Sequence, residues 1–217
     1  MDICIFKNLK TVKPQLTSLE KIVEIIKTSP LLKEYTLEAR HYYATGEKKK
    51  LDSIRNNELP AYAPAGLFID GKGKNNLIGL TGLCFIDIDD ITEEQVDSSM
   101  ALLRENENVL LATRSLSGNG LHILVPYILL KDDPITPLPM TTRFMSRLYK
   151  SVFILAAEKF SNLLGYLVDL SLKNPACLCL VAYDPDAWFN PSAKPIPYHF
   201  EKIESQANTI QFDLYEE

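Results

Sequence analysis

The chain has 217 residues, of which 46% are hydrophobic and 24% charged, and its 23 Lys and Arg against 28 Asp and Glu leave a net charge of −5. Those proportions exclude disorder, collagen and coiled coil, and the length allows roughly 70% of the unfolded chain's surface to be buried. No run reaches the roughly 20 apolar residues of a membrane span, and the opening MDICIFKNLK lacks the sections of a signal peptide, so a cytoplasmic protein without a membrane partner is expected.

With no repeat and no Gly/Ser linker, one unit is expected, comprising a mainly helical part over 1–57, a core over 58–191 and a C-terminal tail over 192–217. A first strand precedes a helix that the capping box Thr17-x-x-Glu20 opens and Ser29-Pro30 closes. A second helix runs from Leu31 to about Thr45 and stops at Gly46; a short basic one follows, from near Glu47 to about Asn56. From Pro60 onward short apolar runs between Pro and Gly predict strands, the best being Leu80 to Asp89. Thr92-x-x-Gln95 caps a helix carrying Val96, Met100 and Leu103 on one face. Two apolar arms around Ser117-Gly118-Asn119-Gly120 predict a β-hairpin, because Asn-Gly accepts the positive φ of tight turns. The longest helix spans roughly Thr141 to Leu163, with Phe144, Leu148, Val152, Leu155 and Phe160 inward; strand, loop, strand and an acidic tail close the chain. The order strand, helix, hairpin, helix, strand predicts an α+β fold with an antiparallel or mixed central sheet of the split βαβ kind, with helices on one face.

Cys4, Cys84, Cys177 and Cys179 form neither a CxxC pair nor disulfide spacing and are expected to be buried small hydrophobes. The negative charge argues against a uniformly basic surface, but Lys48, Lys49, Lys50 and Arg55, then Lys72 and Lys74, then Arg143, Arg147 and Lys150 form local basic clusters. In Phe85-Ile86-Asp87-Ile88-Asp89 the alternation of a strand sends Asp87 and Asp89 to one face, about 7 Å apart at Cα, and Cys84, Ile86 and Ile88 to the other. Two carboxylates at a strand end suit Mg²⁺ or Mn²⁺, hard ions that take oxygen ligands and share them with phosphate; an acidic, helix-capping loop is the plain alternative. In Ser115-x-Ser117-Gly118-Asn119-Gly120-Leu121-His122 a histidine follows a Gly-rich turn whose N–H groups can approach an anion, with Ser115 and Ser117 as further donors; a hairpin with an incidental histidine is the alternative. Asp169, after Tyr166-Leu167-Val168, reads as a strand-end carboxylate of the kind a two-metal phosphoryl-transfer site draws from a separate strand.

Taken together, Asp87-x-Asp89, the Ser115 to His122 segment and Asp169 resemble the three motifs of archaeo-eukaryotic primase-polymerases. The stretch from about residue 40 to 191 is similar to the VirE N-terminal domain family, a primase-like N-terminal module of larger bacterial mobile-element proteins. Lys50 through Leu59-Pro60 with Ala63-Pro64-Ala65-Gly66-Leu67-Phe68, Thr81-Gly82 before Phe85-Ile86-Asp87-Ile88-Asp89, the Ser115 to His122 segment, and Asp169 followed by Tyr183-Asp184-Pro185-Asp186 carry that resemblance. It implies an RRM-like core and metal-dependent nucleotidyl transfer, with Asp87, Asp89 and Asp169 as catalytic metal ligands for Mg²⁺ or Mn²⁺. Ser115, Ser117 and His122 would bind a nucleoside triphosphate. It further implies a single-stranded DNA template, a helicase or ATPase as partner, and a role in replicating a mobile element in the bacterial cytoplasm. One feature departs from the family, whose members carry an arginine shortly after the third Asp: here no basic residue lies between Lys173 and Lys194. Lys72, Lys74, Arg143 or Arg147 would have to supply that cation. Three readings follow, namely a nucleotidyltransferase, a catalytically degenerate module that binds DNA or scaffolds a replication complex, and a metal-dependent nuclease or phosphohydrolase. A rolling-circle initiator is disfavoured, since His41 and His199 stand isolated.

Overall fold

Residues 1–133, 135 and 137–210 are described by a computed structural model. The chain begins with a hairpin, β1 (Asp2–Phe6) and β2 (Gln15–Ser18), whose ladder pairs Thr17 with Ile3. That pairing holds Thr17 in the strand, so the cap of α1 (Leu19–Thr28) moves one residue on: the Ser18 side chain accepts from Lys21 N–H. Helix α2 (Pro30–Thr45) has Ser29 as its N-cap and Pro30 in its first turn, and ends on Gly46, whose φ of 71° is the left-handed conformation that closes helices. Helix α3 (Lys48–Asn57) follows at once.

Strands β3 (Ala61–Ala63) and β4 (Gly66–Phe68) come next, then β5 (Leu77–Leu80) and β6 (Leu83–Ile88). Helix α4 (Glu93–Glu105) carries the expected capping box complete, with Thr92 and Gln95 bonding each other's backbone N–H. Strands β7 (Leu111–Arg114) and β8 (Leu121–Leu130) form the expected hairpin. Its positive φ falls on Gly118, at 86°, rather than on Asn119-Gly120. Helix α5 (Thr142–Leu164) is capped by Thr141 and ended by Gly165. Its buried face is wider than the predicted stripe: Met145, Tyr149, Phe153, Ala156 and Ala157 join Leu148, Val152 and Phe160, while Phe144 and Leu155 are half-buried at the margin.

The chain then makes a 3₁₀ turn over Leu170–Leu172, short strands β9 (Cys179–Leu180) and β10 (Trp188–Phe189), strand β11 (Ile196–His199) and helix α6 (Phe200–Thr209). Two expectations change here. Asp169 ends no strand but caps the 3₁₀ turn. The stretch expected as a tail holds β11 and α6, which bury Ile196, Ile203 and Ala207. The expected acidic end, 213–217, lies outside the described residues.

Strand β8 organises one mixed sheet. It pairs antiparallel with β6 over Leu121 to Pro126 and with β7 over Leu121 to Leu124, and parallel with β11 from Tyr127 to Leu130; β10 extends the sheet beyond β7. Pro126, which has no N–H to give, sits where the β6 ladder ends and the β11 ladder begins. A second sheet has the order β2-β1-β3-β9, all antiparallel, and β4 pairs with β5. The N-terminal strands therefore share a sheet with β9, and the first 57 residues are built into the core rather than appended to it. A large apolar core includes residues of α1, α2, α5 and both sheets, and a smaller cluster centres on Phe6, Phe68 and Met145. Of the four free cysteines Cys4, Cys84 and Cys179 are buried as expected, whereas Cys177 is half-buried.

Candidate functional site

Strand register decides which side chains meet. In the β6–β8 ladder Asp87 lies directly opposite His122, and directly paired residues share a face with their Cβ atoms about 5 Å apart. His122 Nε2 accordingly stands 3.6 Å from Asp87 Oδ1. Asp89 follows the last residue of β6, where the chain turns through Asp90 in the left-handed region, φ 56°, and Ile91 N–H bonds back to the Asn119 carbonyl at 3.1 Å. The turn of the hairpin is thus locked to the end of the acidic strand. Gly120 shows how tightly: a Cβ there would lie 2.4 Å from the Ile88 carbonyl oxygen and 3.3 Å from Asp89 Cα.

Asp169 arrives from a distant part of the chain, and its backbone N–H donates to the Asp87 carbonyl at 2.9 Å. Its carboxylate accepts from Ser171 N–H at 2.8 Å and from Ser171 Oγ at 2.6 Å. Asp87, Asp89 and Asp169 each place one carboxylate oxygen within 4.8 Å of the others. Three anions so close cannot all be comfortable. Burial, and then the charge of Asp169, push the Asp87 carboxyl up to about 7, and Asp89 is raised for the same two kinds of reason, burial first and then Asp87. Asp87 Oδ1 is also buried without a hydrogen-bond partner among the described residues. A carboxylate that is desolvated, unpartnered and crowded by two others wants a cation. All the donors are hard oxygens, so the three residues fit Mg²⁺ or Mn²⁺.

His122 is held differently. Burial lowers its pKa to about 4, against the smaller opposing pull of Asp89, so the ring is neutral at pH 7 and its contact with Asp87 is no ion pair. Nδ1 lies 3.3 Å from the Cys179 thiol on β9, and Phe85 meets the ring edge-on at 5.6 Å. Buried Cys179, whose pKa burial drives far up, stays a thiol and can give its proton to Nδ1; Nε2 then carries the ring hydrogen and faces Asp87.

Beside these groups opens a cleft of about 350 Å³, whose walls include Asp87, Asp89, Ser115, Ser117 and His122. Five of the six predicted site residues line this cleft, the sixth being Asp169 beside it. The Ser115 and Ser117 hydroxyls lie 3.0 Å apart, and Ser117 Oγ accepts from Asn119 N–H. The sequence reading missed what surrounds them. Arg40 of α2, largely buried, donates from its guanidinium to the Leu116 and Ser115 carbonyls at 3.3 and 3.4 Å, holding the serine loop in place. Tyr43, Leu51 and Arg55 of α2 and α3 are also among the walls of the cleft. Arg55 is exposed and has no ion pair among the described residues. The cation on the walls of this cleft is thus Arg55 of the N-terminal helices; Lys72, Lys74, Arg143 and Arg147 do not line it. In the sequence Arg55 stands in a basic cluster and within the Lys50 to Pro60 stretch that carries the family resemblance, but nothing local ties α3 to β6.

The Tyr183 to Asp186 segment is a clasp. Buried Asp184 accepts Arg114 N–H at 2.8 Å and Asp186 N–H at 3.1 Å, its own N–H bonds the Ile26 carbonyl, and Tyr183 N–H bonds Thr36 Oγ1. It ties α1 and α2 to the end of β7. His41 and His199 are exposed and stand apart from the site. No helix among the described residues is long and apolar enough to cross a membrane.

No curated protein and no solved structure matches the chain. A family model does, over residues 55–189, a span that takes in the acidic strand, the serine loop, His122, Asp169 and the clasp. By that match the chain belongs to the family described as BT4734-like, N-terminal domain, which is related to VirE N-terminal domains.

Proposed function

We propose that this chain is a primase-polymerase-like domain that performs metal-dependent nucleotidyl transfer on a single-stranded DNA template, within the cytoplasmic replication of a bacterial mobile element. The observation that carries the reading is the convergence of Asp87, Asp89 and Asp169, each with an oxygen within 4.8 Å of the others, at the edge of a cleft walled by Ser115, Ser117 and His122. The topology is compatible with it: β6 and β7, joined by α4, flank β8 and run antiparallel to it, as the strands of a split βαβ unit would.

In such a site bound Mg²⁺ or Mn²⁺ supplies Lewis acidity toward the attacking 3′ hydroxyl and the departing pyrophosphate. The chain's own residues do the rest. Asp87, Asp89 and Asp169 supply the oxygen ligands, and Ser171 orients the Asp169 carboxylate through two hydrogen bonds. The neutral His122 ring, fixed by Cys179, presents an N–H toward Asp87 and the cleft without adding a charge that would compete with a cation. Ser115 and Ser117 offer hydroxyl donors to phosphate oxygens, and Arg55 offers a guanidinium, the part played in the family by the arginine after the third Asp.

One observation favours the catalytically degenerate DNA-binding or scaffolding module as second reading: the segment after Asp169 supplies no arginine, and the one on the cleft's walls, Arg55, comes from a different part of the chain. Primer extension and de novo synthesis with labelled nucleotides and Mn²⁺ separate the two. Template-dependent incorporation by the wild type that Asp89→Ala abolishes and His122→Ala strongly reduces is expected. Incorporation no greater than that of Asp89→Ala, with single-stranded DNA still bound, assigns the binding module instead.

A further inference from the structure

A second cleft, of about 340 Å³, lies on the other side of the Asp169 turn, and its walls include Lys74, Arg147, Lys150 and Lys173 with Ser146 and Ser171. The four cations come from three separate places in the chain: the 3₁₀ turn Lys74–Asn76, one turn of α5, and the end of the turn that Asp169 caps. Among the described residues no Asp or Glu is on the cleft's walls. Arg147 is engaged by Glu204 at 2.5 Å, but Lys74, Lys150 and Lys173 have no ion pair among the described residues.

Like charges gathered in a concave site repel one another, and a chain with net charge −5 has carboxylates to spare for pairing. Their absence from this cleft leaves its potential for something else. Ser146 Oγ, buried at the wall, has no hydrogen-bond partner among the described residues. The cleft also adjoins the acidic centre: Ser171, one of its walls, donates to Asp169, and the half-buried Cys177 thiol feels both the Asp169 carboxylate and the Lys74 ammonium.

We propose that this basic cleft binds phosphodiester groups of a single-stranded nucleic acid and leads the strand to the carboxylates. The proposal deepens the nucleotidyl-transfer reading and rests on it for the strand's destination, but binding itself needs no metal and no nucleotide. Three unpaired ammonium groups spread over three chain segments suit successive phosphates along a backbone better than one compact anion.

The test is fluorescence anisotropy of a labelled oligothymidylate in EDTA over a range of NaCl, with wild type, Lys74→Gln plus Lys173→Gln, and Lys48→Gln plus Lys49→Gln as a control on α3. All four lysines are exposed, so each variant should melt as the wild type does. The cleft variant should lose at least tenfold in affinity, and its slope of log K against log salt should shrink by about 1.4, the share of two phosphate contacts on a single strand. Asp87→Asn plus Asp89→Asn should bind the strand as well as wild type, so that loss of catalysis and loss of this site read out separately. Undiminished binding by the cleft variant, or a loss confined to the α3 control, overturns the proposal. Tighter binding of inorganic tripolyphosphate than of the oligonucleotide, lost in the same cleft variant, would make the ligand a free polyphosphate and overturn the strand assignment.

Discussion

Asp87 is the residue on which the account turns, because the same burial that readies it for a cation costs the fold stability. Its carboxyl titrates at about 7 in the folded chain, against about 3.9 when unfolded. The folded state therefore holds the proton more tightly, and stability falls as pH rises from about 4 to about 7, then stays level. Asp87→Asn removes that loss. Without metal the variant should match wild type near pH 4 and exceed it above pH 7 by about 4 kcal/mol, or roughly 8–16 °C in melting temperature for a chain of this size. A melting series across that range checks both the sign and the window. Gly120 gives the opposite case. Gly120→Ala drives a methyl into the Ile88 carbonyl and the backbone of Asp89, and thermal melts should show a loss of about 1–3 kcal/mol. At this scale the sequence was informative about residue identity: Asp87, Asp89 and His122 were legible from alternation and a Gly-rich turn. It was silent on Cys179 and on the neutral state of His122, since both depend on β9 lying against β8 through no local pattern.

At the scale of elements, the site is assembled by pieces that carry no chemistry of their own. Helix α3 was predicted as short and basic, which it is, but only its packing makes Arg55 a wall of the cleft. Arg55→Ala should raise the KM for nucleotide about ten- to a hundredfold, the range of one lost charge-assisted contact, with kcat changed far less; steady-state incorporation assays read the split. The clasp at Asp184 works through the backbone. Asp184→Ala leaves two N–H groups without their acceptor in a buried place and should cost about 2–4 kcal/mol in chemical denaturation, with Asp184→Asn costing less because one acceptor oxygen remains. Helices and their ends were legible wherever a cap or a glycine announces them, as at Ser29, Gly46, Thr92 and Gly165. The shift of the first cap from Thr17 to Ser18 came from strand pairing with Ile3, a contact between segments that a local reading does not weigh. Helix α6 was missed for want of a cap: His199 at its start makes no capping hydrogen bond.

In the whole molecule, two sheets and the N-terminal helices contribute to one cleft, whose acidic and serine-lined walls come from β6 and the turn after it and from the β7–β8 loop, with further walls from α2, α3 and the Asp169 turn. The α+β class was legible from the order of patterns along the chain. The two-sheet arrangement was not, because β1, β3 and β9 are brief and come together from segments far apart in sequence. What the architecture achieves is to hold three carboxylates against their mutual repulsion, and a cation is the economical reason for doing so. Titration of Mn²⁺ into the protein, followed by the loss of the free-ion signal in electron paramagnetic resonance with and without a nucleoside triphosphate, tests that claim most directly. Wild type should bind Mn²⁺ weakly alone and more tightly with nucleotide, with affinity rising between pH 6 and 8 as Asp87 gives up its proton. Asp87→Asn plus Asp89→Asn should bind none at the protein site, whereas equal Mn²⁺ uptake by that variant and the wild type would contradict the account.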